Sequence, residues 1–223
     1  MLKAFYFIYL IPLSLSTIFS LRSFRLNWPV RYRYFSLFLI FTLFVEIFAM
    51  CWKYFLHNSY FGNYSNSNIW IYNLYLIPEY LFYFFFFYGF LKHQIIKRIF
   101  IGVVIIYFLF AVTNLIWIQT FSNLNSFTII PGNILVVLLS LSYFHQSLND
   151  KEFIKQTSQP LFWIAVAVFI FFSGSLPYFI FMNSLIINNI PMAIALFNIL
   201  LILNTFMYSL YLIAYLCKPH FQK

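Results

Sequence analysis

Residues 22–56 read RSFRLNWPVRYRYFSLFLIFTLFVEIFAMCWKYFL. Four arginines, Arg22, Arg25, Arg31 and Arg33, precede a run over 35–56 in which Glu46 and Lys53 are the only charges. A helix needs about 20 mostly apolar residues to cross a bilayer. The stretch therefore predicts a spanning helix whose basic end stays on the cytoplasmic side.

The same reading extends in both directions. Apolar runs over 4–21, 35–56, 70–91, 99–119, 127–148, 160–182 and 191–217 predict seven spans. The whole chain is 64% hydrophobic and 8% charged, where soluble domains are about a quarter charged. Such a chain cannot hide its apolar surface in water. The expected fold is all-α, a single transmembrane domain over 1–223 formed by a bundle of seven membrane-spanning helices. The connectors are too short for a soluble domain.

Charge along the connectors sets the orientation. After the four arginines of the first loop come Lys92, Lys97 and Arg98 in the third, Lys151 and Lys155 in the fifth, and Lys218 and Lys223 in the tail. The intervening loops, His57–Ile69, Thr120–Ser126 and Asn183–Ile190, hold no Lys, Arg, Asp or Glu. The positive-inside rule then places the N-terminus outside and the C-terminus in the cytoplasm. Lys3 pulls the other way and is outweighed by the arginines. Residues 1–21 lack a small-x-small cleavage site and run into Arg-rich sequence, so they read as a retained helix rather than a signal peptide. Trp28, Trp52, Trp70, Trp117 and Trp163 fall near span ends, where indole prefers the interface. The net charge of +9 is thus a topology signal spread over four segments, and a nucleic-acid partner is not expected. Asn63-Tyr64-Ser65 matches a glycosylation acceptor in an outer loop. Cys51 and Cys217 fall near opposite faces, too far apart for a disulfide.

Two of the four acidic residues lie inside spans: Glu46 in the second and Glu79 in the third. Intramembrane carboxyls are costly and should face the bundle interior or a cavity. Each sits about ten residues from the outer end of its helix, which at about 1.5 Å per residue puts them at one depth. Lys53 shares the Glu46 face, but about 10.5 Å of rise separates the two. Side chains lean toward their own helix N-terminus, which favours a Lys53–Glu79 pair. The alternative is that Lys53 snorkels to the headgroups. Tyr72, Tyr75 and Tyr83 share a stripe with Glu79 and are candidates to hydrogen-bond it. Pro78 loosens the backbone just before Glu79.

Other polar residues read first as interhelical contacts. They are Asn198, Thr205 and Ser209 on one stripe of the last span, Pro131-Gly132-Asn133 in the fifth, and Ser173-Gly174-Ser175 with Pro177 in the sixth. The last group also suits a broken helix. Laying spans 1–3 over spans 5–7 aligns Pro12 with Pro131 and Glu79 with Asn198, a hint of parallel repeats about a linker helix. Asn198 joins the candidate ligand or proton site on that ground.

Several functions are excluded or unsupported. A retinal Schiff base needs a lysine in the last span, and 191–217 has none. No GxSxG, HExxH, Walker A or zinc pattern occurs, and His57, His93, His145 and His220 are not spaced as ligands. No catalytic residue, metal or cofactor is expected, and the chain reads as a non-enzyme. The stretch Tyr72-Asn73-Leu74-Tyr75 with Glu79-Tyr80-Leu81-Phe82-Tyr83-Phe84 resembles small uncharacterised bacterial seven-helix multi-pass membrane proteins. That resemblance implies a bacterial inner membrane and a role beside signalling proteins, and brings no catalytic residues. The leading expectation is a sensor or accessory signalling subunit that responds to a small ligand or protonation at Glu46, Glu79 and Lys53. Its basic inner loops would meet a membrane or cytoplasmic partner. The alternatives are a small proton-coupled secondary transporter and a purely structural subunit.

Overall fold

The computed structural model describes residues 7–56, 67–91, 94–121, 123–148 and 159–217. Among these the regular structure is helical throughout. The helices are α1 (Leu10–Ser20), α2 (Arg22–Arg25), α3 (Val30–Cys51), α4 (Ile69–Tyr88), α5 (Gln94–Thr113), α6 (Ser126–Leu148), α7 (Pro160–Gly174), α8 (Leu176–Asn188) and α9 (Ile190–Leu216). α3 continues into a wide π turn, Trp52–Leu56, and α5 into another, Asn114–Ile118. Each of the seven apolar runs is therefore helical.

Five rods are long and apolar enough to cross a membrane: Val30–Leu56, Gln94–Ile118, Ser126–Ser147, Pro160–Asn188 and Ile190–Leu216. α5 shows the surface they present, with Ile95, Ile99, Ile105, Ile106, Leu109 and Trp117 all exposed. An apolar face of that length is at home against lipid and would be an aggregation site in water.

Two helices begin before their apolar runs do. α3 starts at Val30 rather than 35, so Arg31 and Arg33 lie in its first turns. α5 starts at Gln94 rather than 99 and takes in Lys97 and Arg98. Hydropathy marks where charge stops, whereas backbone chemistry marks where a helix starts. At α3 the chain turns at Asn27 with φ 49°, a left-handed conformation that asparagine tolerates, and Pro29 precedes the first residue. Ser173-Gly174-Ser175 interrupts the sixth rod only briefly. Ser175 keeps helical angles (φ −81°, ψ −14°), and α8 resumes at once with Pro177 in its first turn. The triplet Asn63-Tyr64-Ser65, Lys3, Lys92, His57, His93, His220 and the charges of 150–155 and 218–223 lie outside the described residues.

The chain packs as two compact units. The first holds residues up to Ile40 and from Asn133 onward. Its hub is α9, against which α7, α1 and α8 pack. Aromatic rings set that packing: Tyr211 meets Phe35 edge-on at 4.9 Å, and Tyr215 stacks on Trp28 at 5.7 Å. A polar knot sits among them. Ser36 Oγ lies 2.8 Å from Ser23 Oγ, 2.9 Å from Ser20 O and 3.0 Å from the Tyr215 hydroxyl. Tyr215 in turn donates to Tyr32 O at 2.9 Å. Asn133 donates to Ser175 Oγ at 3.1 Å, tying α6 to the α7–α8 break. The second unit, Phe41–Gly132, carries Glu46 and Glu79 and is built from the rest of α3, α4, α5 and the start of α6.

Candidate functional site: a carboxyl pair in a tyrosine and amide frame

In the second unit Val45, Ala49 and Ile71 form an apolar core, with Phe48, Trp52, Trp70, Tyr72 and Tyr75 packed on it. α3 and α4 are thereby clamped face to face, and their polar residues meet. The Tyr72 hydroxyl donates to Glu46 Oε2 at 3.0 Å, and Tyr75 shares a 2.7 Å hydrogen bond with Thr42. Glu46 and Glu79 are both half-buried and near enough for the charge of one to act on the other.

The tyrosine stripe is assigned differently from expectation. Tyr72 serves Glu46, Tyr75 serves Thr42, and Tyr83 is buried with its ring edge-on to Phe82 at 5.9 Å. Glu79 makes no hydrogen bond or ion pair among the described residues. The hydroxyls within reach of its charge are Tyr80 and Tyr107. Both are anchored on α6: Tyr80 donates to Ile129 O at 3.1 Å and Tyr107 to Thr128 O at 3.2 Å. Stripe arithmetic treats α4 as an isolated cylinder. Packing against α3 and α5 decides which hydroxyl finds which acceptor.

Lys53 does not pair with Glu79. It is exposed in the π turn that ends α3, and its ammonium lies 5.8 Å from the Tyr54 ring centroid. The wider turn shifts its phase, so it no longer shares the Glu46 face of the regular helix. Asn198 belongs to the first unit, half-buried on α9. Its stripe partners Thr205 and Ser209 bond back to their own helix, to Leu201 O at 2.8 Å and Thr205 O at 2.7 Å.

Three residues outside the expected set complete the frame. Asn73, 2% exposed, donates to Phe121 O at 2.9 Å and Asn123 O at 2.7 Å, holding the α5–α6 connection onto α4. Asn114 donates to Thr128 Oγ1 at 2.8 Å and to Gln119 Oε1 at 3.1 Å. Gln119 donates to Ser126 Oγ at 3.1 Å. Tyr107 and Asn114 are conspicuous polar residues in the otherwise apolar run 99–119, and that isolation is the signal in the sequence that could have found them. Among the described residues no three His, Cys, Asp or Glu side chains gather as a metal site. No family model, curated protein or solved structure matches this chain.

Proposed function

We propose that this chain is a non-enzymatic sensor or accessory subunit of a bacterial inner membrane, crossing it seven times with its N-terminus outside. In this reading α1 and α4 join the five long apolar rods as spans. Its responsive element is the Glu46–Glu79 pair, which takes up one proton or one small cation. The observation that carries it is that Glu79 faces Glu46, Tyr80 and Tyr107 with no cationic partner among the described residues. Two carboxylates in one low-dielectric site are unstable together unless something positive joins them. Uptake or release there would alter the α3–α4–α5 packing that the basic inner loops report to a partner.

The test is infrared titration of the full chain in lipid, following the carbonyl band of protonated carboxyls. The chain holds only four acidic residues, so the band can be assigned by substitution. Glu79→Gln is expected to remove the titrating band and at least tenfold of any cellular response, while Lys53→Met leaves both unchanged. A wild-type protein with no titrating buried carboxyl would sink the reading. Native mass spectrometry of the gently extracted protein then separates roles. A defined second protein marks a sensor or accessory subunit. A chain found alone favours the transport reading, to which Pro78 inside α4 and the interruption at Ser175 lend support. That reading predicts solute-coupled proton flux in proteoliposomes.

A further inference from the structure

Where α7 gives way to α8, the first unit holds an apolar cavity of about 130 Å³ against α9. Leu196, Ile199, Leu200 and Leu203 form its α9 wall. They recur at spacings of three and four, the stripe that one face of a helix presents. The opposite wall is Gly174, Ser175, Pro177 and Tyr178. Glycine has no side chain and proline only a short ring, so this wall does not reach across to the aliphatic one. The interruption at Ser175 thus leaves a gap where helices ordinarily close-pack.

The gap does not suit water. A buried water needs two to four polar partners. Of the lining side chains, Ser175 and Tyr178 alone are polar. The Ser175 hydroxyl is committed elsewhere, donating to Phe172 O at 3.3 Å and accepting from Asn133 Nδ2 at 3.1 Å. Among side chains that leaves at most the Tyr178 hydroxyl. An engineered apolar cavity of about 150 Å³ stays dry and takes benzene. This one has room for a hydrocarbon group of similar bulk.

The cavity is continuous with a membrane-facing surface. Gly174, Pro177 and Ile199 line it and are themselves exposed, and Ile180 and Ile202 beside them are 49% and 57% exposed. This apolar surface belongs to two rods of membrane-crossing length, Pro160–Asn188 and Ile190–Leu216. Gly174 is the fifteenth of 29 residues in the first, and Leu203 the fourteenth of 27 in the second. A Cβ built at Gly174 would meet Leu203 Cδ1 and Cδ2 at 3.1 Å, so the rods touch at their midpoints. From there the α9 wall runs back to Leu196, seven residues or about 10.5 Å toward the α8–α9 connection. A bilayer's hydrocarbon core extends about 15 Å to either side of its centre, so the whole cavity lies within it.

Chain ends of lipids lie at that depth, and they offer the bulk and apolarity the walls call for. We propose that the cavity binds the terminal segment of one lipid acyl chain and that this segment completes the packing of α8 on α9. Gly174 sets the room available. A side chain there forces Leu203 to yield, and the free space beside Leu203 is the cavity itself. The site rests on the membrane-crossing reading of the rods. It is independent of the carboxyl pair, which belongs to the other unit.

The experiment is photolabelling of the full chain in phosphatidylethanolamine and phosphatidylglycerol nanodiscs. They are doped with a phospholipid that carries a diazirine at its chain terminus, and labelled peptides are read by mass spectrometry. Labelling is expected to concentrate on 174–178 and 196–203. It should exceed that on the α5 face at Ile105, Ile106 and Leu109, which is exposed to any lipid. Gly174→Val should cut cavity labelling about tenfold, equivalent to about 1.4 kcal/mol of lost affinity, and leave α5 labelling unchanged. Leu200→Phe fills the cavity from the other wall and should do the same. It covers the case in which Gly174→Val fails to fold. A diazirine placed beside the headgroup should label neither wall. Cavity labelling no stronger than that on α5 would overturn the proposal and leave the cavity empty. So would labelling unmoved by both variants, or equal labelling from the headgroup position. An α5 face that takes no label at all would overturn the membrane-crossing reading, and the proposal with it.

Discussion

Replacing Gly132 by alanine is expected to destabilise the second unit by about 1–3 kcal/mol, the range for forcing one extra methyl into a filled core. A Cβ built at Gly132 would meet the Tyr107 hydroxyl and the Tyr80 ring, each at 2.6 Å, well inside van der Waals contact. Such a clash is cheap when the obstructing atom ends a mobile side chain. These two are not mobile. Tyr80 is 1% exposed and Tyr107 5%, and both hydroxyls are bonded to carbonyls of α6 itself. Moving either ring away from Gly132 breaks its own anchor. The displaced tyrosines also lie within reach of the Glu79 charge, so the carboxyl band should change shape as well as the unfolding temperature. Gly102 supplies the control. It lies in α5 with nothing within 4 Å of a built Cβ, so Gly102→Ala should be neutral or stabilise by about 0.5–1 kcal/mol through helix propensity. Equal effects at the two glycines would mean that the tyrosines are not held as described.

The second large effect is expected in the other unit. Ser36→Val should cost about 2–4 kcal/mol, combining unmade hydrogen bonds with overpacking. Ser36 is 0% exposed and its hydroxyl touches α1, through Ser20, the α2 turn, through Ser23, and α9, through Tyr215. Valine removes the shared hydroxyl and puts branched carbons against Ser23 Oγ, leaving polar atoms on three elements short of a partner. Tyr215→Phe should cost less, about 1–2 kcal/mol, because it removes the bond to Tyr32 O and the one accepted from Ser36, leaves the Ser36 hydroxyl its contacts with Ser20 O and Ser23, and keeps the ring stacked on Trp28. Thermal unfolding of the two variants in one detergent checks the order. If Tyr215→Phe proves the worse of the two, the knot is centred on the tyrosine rather than on Ser36.

How far the sequence can be read depends on what each residue answers to. Helix content and the approximate positions of the helices among the described residues follow from long apolar runs, because away from water every backbone N–H and C=O is best satisfied within its own helix. Helix starts are harder, since Arg31, Arg33, Lys97 and Arg98 are charged yet helical. That the charges of Glu46 and Glu79 act on each other could be anticipated by counting rise along two successive helices. The partner of each tyrosine was not. Tyr72 and Tyr83 are equivalent on a helical wheel, but one meets Glu46 and the other is buried with its ring edge-on to Phe82. Lys53 was legible as an either-or, and the π turn at Trp52–Leu56 chose exposure.

Composition and charge order by themselves thus determine that this is an all-helical chain with apolar rods of membrane-crossing length. Those properties are sums over neighbours in sequence. Only the tertiary structure decided that the Glu79 charge acts on Tyr80 and Tyr107, that Gly132 makes room for both rings, and that the Asn114 amide donates to Gln119 and Thr128. A hydrogen bond depends on tenths of an ångström and on a specific direction. Such geometry arises where residues distant in sequence are packed together, as when Asn73 of α4 closes on Phe121 and Asn123.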